Sequence, residues 1–199
     1  MELVIAILVG IGLAAAAGLR VFLPLFGLAI AGWQGYVPLH AEMAWLASPA
    51  AVTALAAATV LEIGGYYIPI VDHLLDTVAA PGAVVAGTLM TASLMTGLDN
   101  PMLQWSLALI AGGGTAGIVQ AGSMLTRATS TATTGGLGNP LLATGEWLGS
   151  LALTLLAFIA PLLIVLAMAG LMAWAWRQYR HSISDTSNNT AARHDNTTR

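Results

Sequence analysis

Residues 51–95, AVTALAAATVLEIGGYYIPIVDHLLDTVAAPGAVVAGTLMTASLM, decide how this chain folds. Two apolar runs, Ala51–Tyr67 and Ala80–Met95, are each close to the ~20 residues that a helix needs to cross a bilayer core of ~30 Å. Between them lie Asp72, His73 and Asp76, and Glu62 is embedded in the upstream run. An ionised side chain at the centre of a membrane helix costs roughly 2.5–3.5 kcal/mol on insertion scales, so each needs a partner or a purpose.

Composition extends this reading to the whole chain. Of 199 residues, 57% are hydrophobic and 8% charged, against about 25% charged in an ordinary soluble domain. The composition is that of a membrane protein. Lysine is absent and the six basic residues are all arginine, giving a formal net charge of −3. A nucleic-acid partner is excluded, because nothing could neutralise a row of phosphates. No cysteine is present, so neither a disulfide framework nor a thiolate metal site is available.

Counting apolar stretches between polar interruptions predicts spans at Leu3–Ala31, Ser48–Ile70, Ala80–Thr96, Met102–Leu125 and Trp147–Trp176. Trp33, Tyr36, Trp45, Trp105, Trp147, Trp174 and Trp176 fall near their ends, where amphipathic rings prefer the headgroup level. The first stretch would rise roughly 43 Å as one helix and contains Gly18, Arg20 and Pro24, so a break is expected there. A hairpin at that break would make six crossings. The expected fold is an all-α polytopic transmembrane bundle of about five to six spans, with broken or re-entrant segments. The N-terminus lacks the basic region of a signal peptide, and its apolar run is too long for one. Residues 1–176 form the expected transmembrane domain. Residues 177–199 are polar and read as a disordered tail. Arg177, Arg180 and His181 after the last span place the C-terminus in the cytoplasm by the positive-inside bias.

A weak internal repeat is visible. A small-residue helix carrying Arg20 is followed by SPAAV and a helix with Glu62. A second, AGGGTAGIVQAGSMLTR with Arg127, is followed by GNPLL and a helix with Glu146. Copies starting three spans apart insert with opposite orientation, as in transporters built from inverted repeats.

The candidate site follows from the buried charges. Arg20, Glu62 and Glu146 lie within or at the edge of spans, and Asp72, Asp76 and Arg127 near span ends. Structural ion pairs, such as Arg20 with Glu62 or Glu146, account for part of the set. On a helix, Asp72 and Asp76 share a face, and two like charges there call for a cation, an arginine or a proton. Asp72 also suits the first turn of a helix opened by Pro69. Zinc is a poor fit, because adjacent Asp72 and His73 diverge and no HExxH spacing occurs. The stretch STATTGGLGNPLLATGEW, Ser130–Trp147, reads as a re-entrant loop in which Thr133, Thr134 and neighbouring glycines could present hydroxyls and amides to an ion. It lacks the lysine of a phosphate-binding loop. With no nucleophile elbow and no paired histidines, an enzyme is not expected, nor a cofactor.

Together, GLRVFLPLF, TVLE with PIVDHLLD, and STATTGGLGNPLL with Glu146 resemble the bacterial membrane-protein family known as domain of unknown function 4126, over about Leu8–Trp176. The resemblance implies a small polytopic protein of the bacterial inner membrane with no established activity. Arg20, Glu62, Asp72, Asp76 and Glu146 match its pattern. Tyr66 and Tyr67 stand where the family tends to carry an Asp-Lys pair, and Trp147 replaces a second acid after Glu146. Tyrosine hydroxyls can serve as partners in place of the missing charges. The expected function is a transporter or channel, homo-oligomeric, for a proton or small ion. Its polar path would be lined by Arg20, Glu62, Asp72, Asp76, Arg127, Thr133, Thr134 and Glu146. The alternative is a membrane scaffold whose charges only support packing.

Overall fold

The computed structural model describes residues 2–159, 170–174 and 176–177, without the side chains of residues 2, 69–74 and 76. The side chains of Asp72, His73 and Asp76, and the tail expected at 178–199, therefore lie outside the described residues. The chain divides into two compact units, Met1–Leu162 and Leu163–Arg199. In the second, residues 170–174 and 176–177 are helical. The rest of the description concerns the first.

Among the described residues of that unit, every regular element is helical. The first apolar stretch forms α1 (Glu2–Ala17) and α2 (Phe22–Trp33). They are separated at residues 18–21, where Gly18 and Arg20 lie, and Pro24 is accommodated in the first turn of α2. A short 3-10 helix (Ala41–Ala47) leads into α3 (Pro49–Gly65). Ser48 caps α3 by accepting the Ala51 N–H at 3.1 Å, and Pro49 occupies the first turn, where its missing donor costs nothing. After the break at Tyr66–Ile68, Pro69 opens α4 (Pro69–Leu94). The chain then runs through α5 (Pro101–Leu107), a π-helical turn (Ala108–Gly113) and α6 (Gly114–Thr134) to α7 (Asn139–Ile159).

Three boundaries differ from the sequence expectation. The helix that carries the third span begins at Pro69, ahead of the expected span start at Ala80, because Pro69 provides a helix start and Pro81 does not interrupt α4. The fourth runs on to Thr134. The expected loop at Ser130–Trp147 contracts to residues 135–138, since threonine hydroxyls bond within α6 and a new helix starts at Asn139. Gly135, at φ 64°, is the left-handed residue that stops α6.

Thr77–Leu94, Pro101–Thr134 and Asn139–Ile159 are long and apolar enough to cross a membrane. The 3-10 helix with α3, bent by 61°, makes a fourth candidate if counted as one span. At the centre of the unit, α1 packs against α4, α6 and α7. Its C-terminal turn, Leu13–Ala17, is fully or almost fully buried. The α4 backbone meets the π-helical turn at Gly87: a Cβ there would lie 2.7 Å from the Gly112 carbonyl oxygen.

Within a largely apolar core, charged and polar side chains are buried while large apolar ones are exposed. Arg20, Thr59, Glu62, Gln104, Gln120, Arg127, Ser150 and Thr154 are buried. Val60, Leu61, Ile110, Leu141 and Ile159 are exposed. α3 turns Thr59, Glu62 and Gly65 inward. Hydroxyls on α4 and α6 bond to carbonyls of their own helices, as with Thr91 to Gly87 at 2.8 Å and Thr126 to Gly122 at 2.9 Å. Internal satisfaction of this kind is what surroundings without water demand.

Candidate functional site

The break between α1 and α2 leaves the first amides of α2 without intrahelical partners. Glu62 of α3 fills them: its carboxylate accepts the Val21 N–H at 2.8 Å and the Phe22 N–H at 3.1 Å. The carboxylate is thus a helix cap supplied from another element, and it lies at the positive end of the α2 dipole.

Arg20, 2% exposed, points the other way from this cap in sequence terms, toward α7. Its Nη2 donates to the Ala143 carbonyl at 3.0 Å and to Glu146 Oε2 at 2.9 Å. Glu146 is shared. From α6, Arg127 Nε donates to Oε1 at 3.2 Å and its Nη2 to Oε2, while the Ser123 hydroxyl donates to Oε1. Ser123 and Arg127 can act on the same carboxylate because positions i and i+4 share a helix face. The Tyr66 ring, buried at the end of α3, lies beneath both guanidiniums, with centroid distances of 3.6 Å to Arg20 and 4.5 Å to Arg127. Beside it the Tyr67 hydroxyl and Thr144 Oγ1 are hydrogen-bonded at 2.9 Å on the exposed side.

The structure thus brings together Arg20, Arg127 and Glu146, with Glu62 next to Arg20 through the α2 cap. Thr133 and Thr134 stand elsewhere, exposed in the last turn of α6. Their hydroxyls donate to the Thr129 and Ser130 carbonyls at 2.8 Å each, and Thr134 also accepts the Gly138 N–H. These bonds close the turn. Asp72 and Asp76 fall on α4, their side chains outside the described residues. Among the described residues no three His, Asp or Glu side chains gather as a metal-holding group.

Sequence reasoning missed Tyr66 as an aromatic platform, having weighed only its hydroxyl, and missed Ser123 and the Ala143 carbonyl. Spacing offers a signal for two of them. Ser123 precedes Arg127 by four residues and Ala143 precedes Glu146 by three, the intervals that place neighbours on one helix face.

An all-helical chain with several long apolar helices and a buried cluster of charges is compatible with a polytopic membrane protein. It belongs to the family described as domain of unknown function (DUF4126), whose family model matches residues 7–181. No curated protein and no solved structure matches the chain.

Proposed function

We propose that this protein is a small multi-pass transporter or channel of the bacterial inner membrane that handles a proton or small ion, without a chemical step, at the Arg20–Glu146–Arg127 cluster. The observation that carries the reading is the Glu146 carboxylate, shared between arginines from two separate elements at a broken helix. Transporters place ion sites at such breaks, where a half-helix terminus and unwound backbone line a cavity. Charges that are costly at membrane depth are retained where they perform work.

The same reading takes the chain as five to six crossings arranged as an inverted repeat, assembled as a homo-oligomer. In support, each half contains a small-residue helix, an arginine, a Ser-Pro or Asn-Pro helix start and a glutamate. A cytoplasmic C-terminus draws support from Arg177 and Arg180. A scaffold is favoured instead by one observation: Glu146 already has four hydrogen-bond donors, enough to satisfy it for packing alone.

Flux assays in liposomes separate the two. Wild-type protein is expected to carry protons, sodium, potassium or chloride, and a folded Glu146→Gln variant to lose at least tenfold of that flux. Absence of flux for every ion tested, with the variant only less stable, would establish the scaffold.

A further inference from the structure

We propose that the position held by the Glu146 carboxylate is a binding site for a small planar monovalent oxyanion, of the formate, bicarbonate or nitrate class, which exchanges with that carboxylate. This names a substrate class for the site proposed above and rests on that reading.

Three observations carry it. The first is the donor geometry. A carboxylate presents about four in-plane acceptor directions, and Glu146 has four donors: Ser123 Oγ, Arg127 Nε, Arg127 Nη2 and Arg20 Nη2. Glu146 is itself a planar oxyanion on a tether, so a free one of similar size meets the same donors.

The second is a surplus. Arg20, 2% exposed, keeps its buried Nε without a hydrogen-bond partner among the described residues. A buried donor left unpaired is costly and calls for an explanation. A two-oxygen carboxylate saturated by four donors has nothing left to offer it. Nitrate and bicarbonate, with a third oxygen, do; formate, with two, fits the position without pairing that donor and is expected to bind more weakly. Glu62 accepts the Val21 and Phe22 amides, and the Arg20 hydrogen bonds go instead to Ala143 and Glu146.

The third is access. The Glu146 side chain is 11% exposed, against 2% for Arg20 and 5% for Arg127, so it is the member of the cluster nearest accessible surface, and the proposal has it withdraw on that side. Tyr66, stacked under both guanidiniums, holds them in place while it does so.

The test uses the full chain in nanodiscs of phosphatidylcholine, titrated with sodium nitrate or sodium formate at constant ionic strength and followed by calorimetry. Removing the tethered competitor with Glu146→Gln is expected to tighten binding at least tenfold over wild type. Arg20→Gln in the same background is expected to abolish it. Folded Glu146→Gln protein, with wild-type helicity and elution volume, that shows no saturable binding of either anion overturns the proposal. If that variant does not fold, Glu146→Asp decides the matter: its shortened tether must bind nitrate several-fold more tightly than wild type, and unchanged or absent binding overturns the proposal. Flux assays on the same proteins keep the two readings apart. Proton or sodium flux without nitrate or formate binding overturns the oxyanion site and leaves transport standing. Binding without flux of any ion supports the site and removes transport.

Discussion

Glu146 is the residue on which the cluster depends, because both arginines spend hydrogen bonds on it. Removing one partner from a buried ion pair leaves an uncompensated charge and typically costs about 3–5 kcal/mol. Arg127→Met is therefore expected to destabilise the protein by about that amount, read as a lower midpoint in detergent unfolding. Combining it with Glu146→Leu should cost less than the sum of the two single changes, since either change alone already removes the hydrogen bonds that the two side chains share. Additive effects would show that the two side chains are not coupled. Tyr66→Leu removes a ring from beneath two guanidiniums, each contact being worth about 0.5–2 kcal/mol. A loss of about 1–3 kcal/mol by the same unfolding assay is expected, whereas Tyr66→Phe, which retains the ring, should recover most of it. The charges themselves were legible in the sequence, because Arg20, Glu62, Arg127 and Glu146 stand out in a chain that is 8% charged. Their partnership was legible only as alternatives, Arg20 with Glu62 or with Glu146. Arg20 and Glu146 are 126 residues apart, and only tertiary packing selects Glu146 over Glu62 as the arginine's partner.

At the scale of elements, proline and the helix caps were the readable punctuation. Gly18, Arg20 and Pro24 marked the break between α1 and α2, and Pro69 marked the start of α4. The π-helical turn at Ala108–Gly113 carried no such mark, since GGG at 112–114 reads equally as a flexible or closely packed stretch. Tertiary contact distinguishes them: at Gly112 an added Cβ would overlap Thr91 and the Gly87 carbonyl oxygen. Overpacking of this kind typically costs about 1–3 kcal/mol, and more where the obstacle is backbone. Gly112→Ala is accordingly expected to lower the thermal midpoint strongly, whereas Gly114→Ala, with open space around its Cβ, should leave it within experimental error. Equal effects at the two positions would mean that α4 and the π-helical turn do not approach this closely. The Ser130–Trp147 stretch was misjudged because Gly and Thr favour loops in isolation, whereas here Thr129, Thr133 and Thr134 satisfy their hydroxyls on α6 carbonyls.

For the molecule as a whole, charges held inside and large apolar side chains held outside carry the reading that apolar composition began. The exposed Val60, Leu61, Ile110 and Leu141 would be a liability in water, and the buried Arg20, Glu62 and Arg127 find their partners inside. Pro101–Thr134 is the element from which topology can be tested. At 34 residues it is about 50 Å long at about 1.5 Å per residue, well over a bilayer core of ~30 Å. The turns at its two ends, at Gly97 before it and Leu137 after it, should then emerge on opposite faces of the membrane. Leu137 is 86% exposed, and a Cβ at Gly97 would meet no neighbour. The chain has no cysteine of its own, so single Gly97→Cys and Leu137→Cys variants each report one position. In sealed right-side-out vesicles a membrane-impermeant maleimide is expected to label one variant, and in inside-out vesicles the other. Labelling of both from the same side would show that Pro101–Thr134 turns back within the bilayer, and would remove the crossing on which the inverted-repeat arrangement depends.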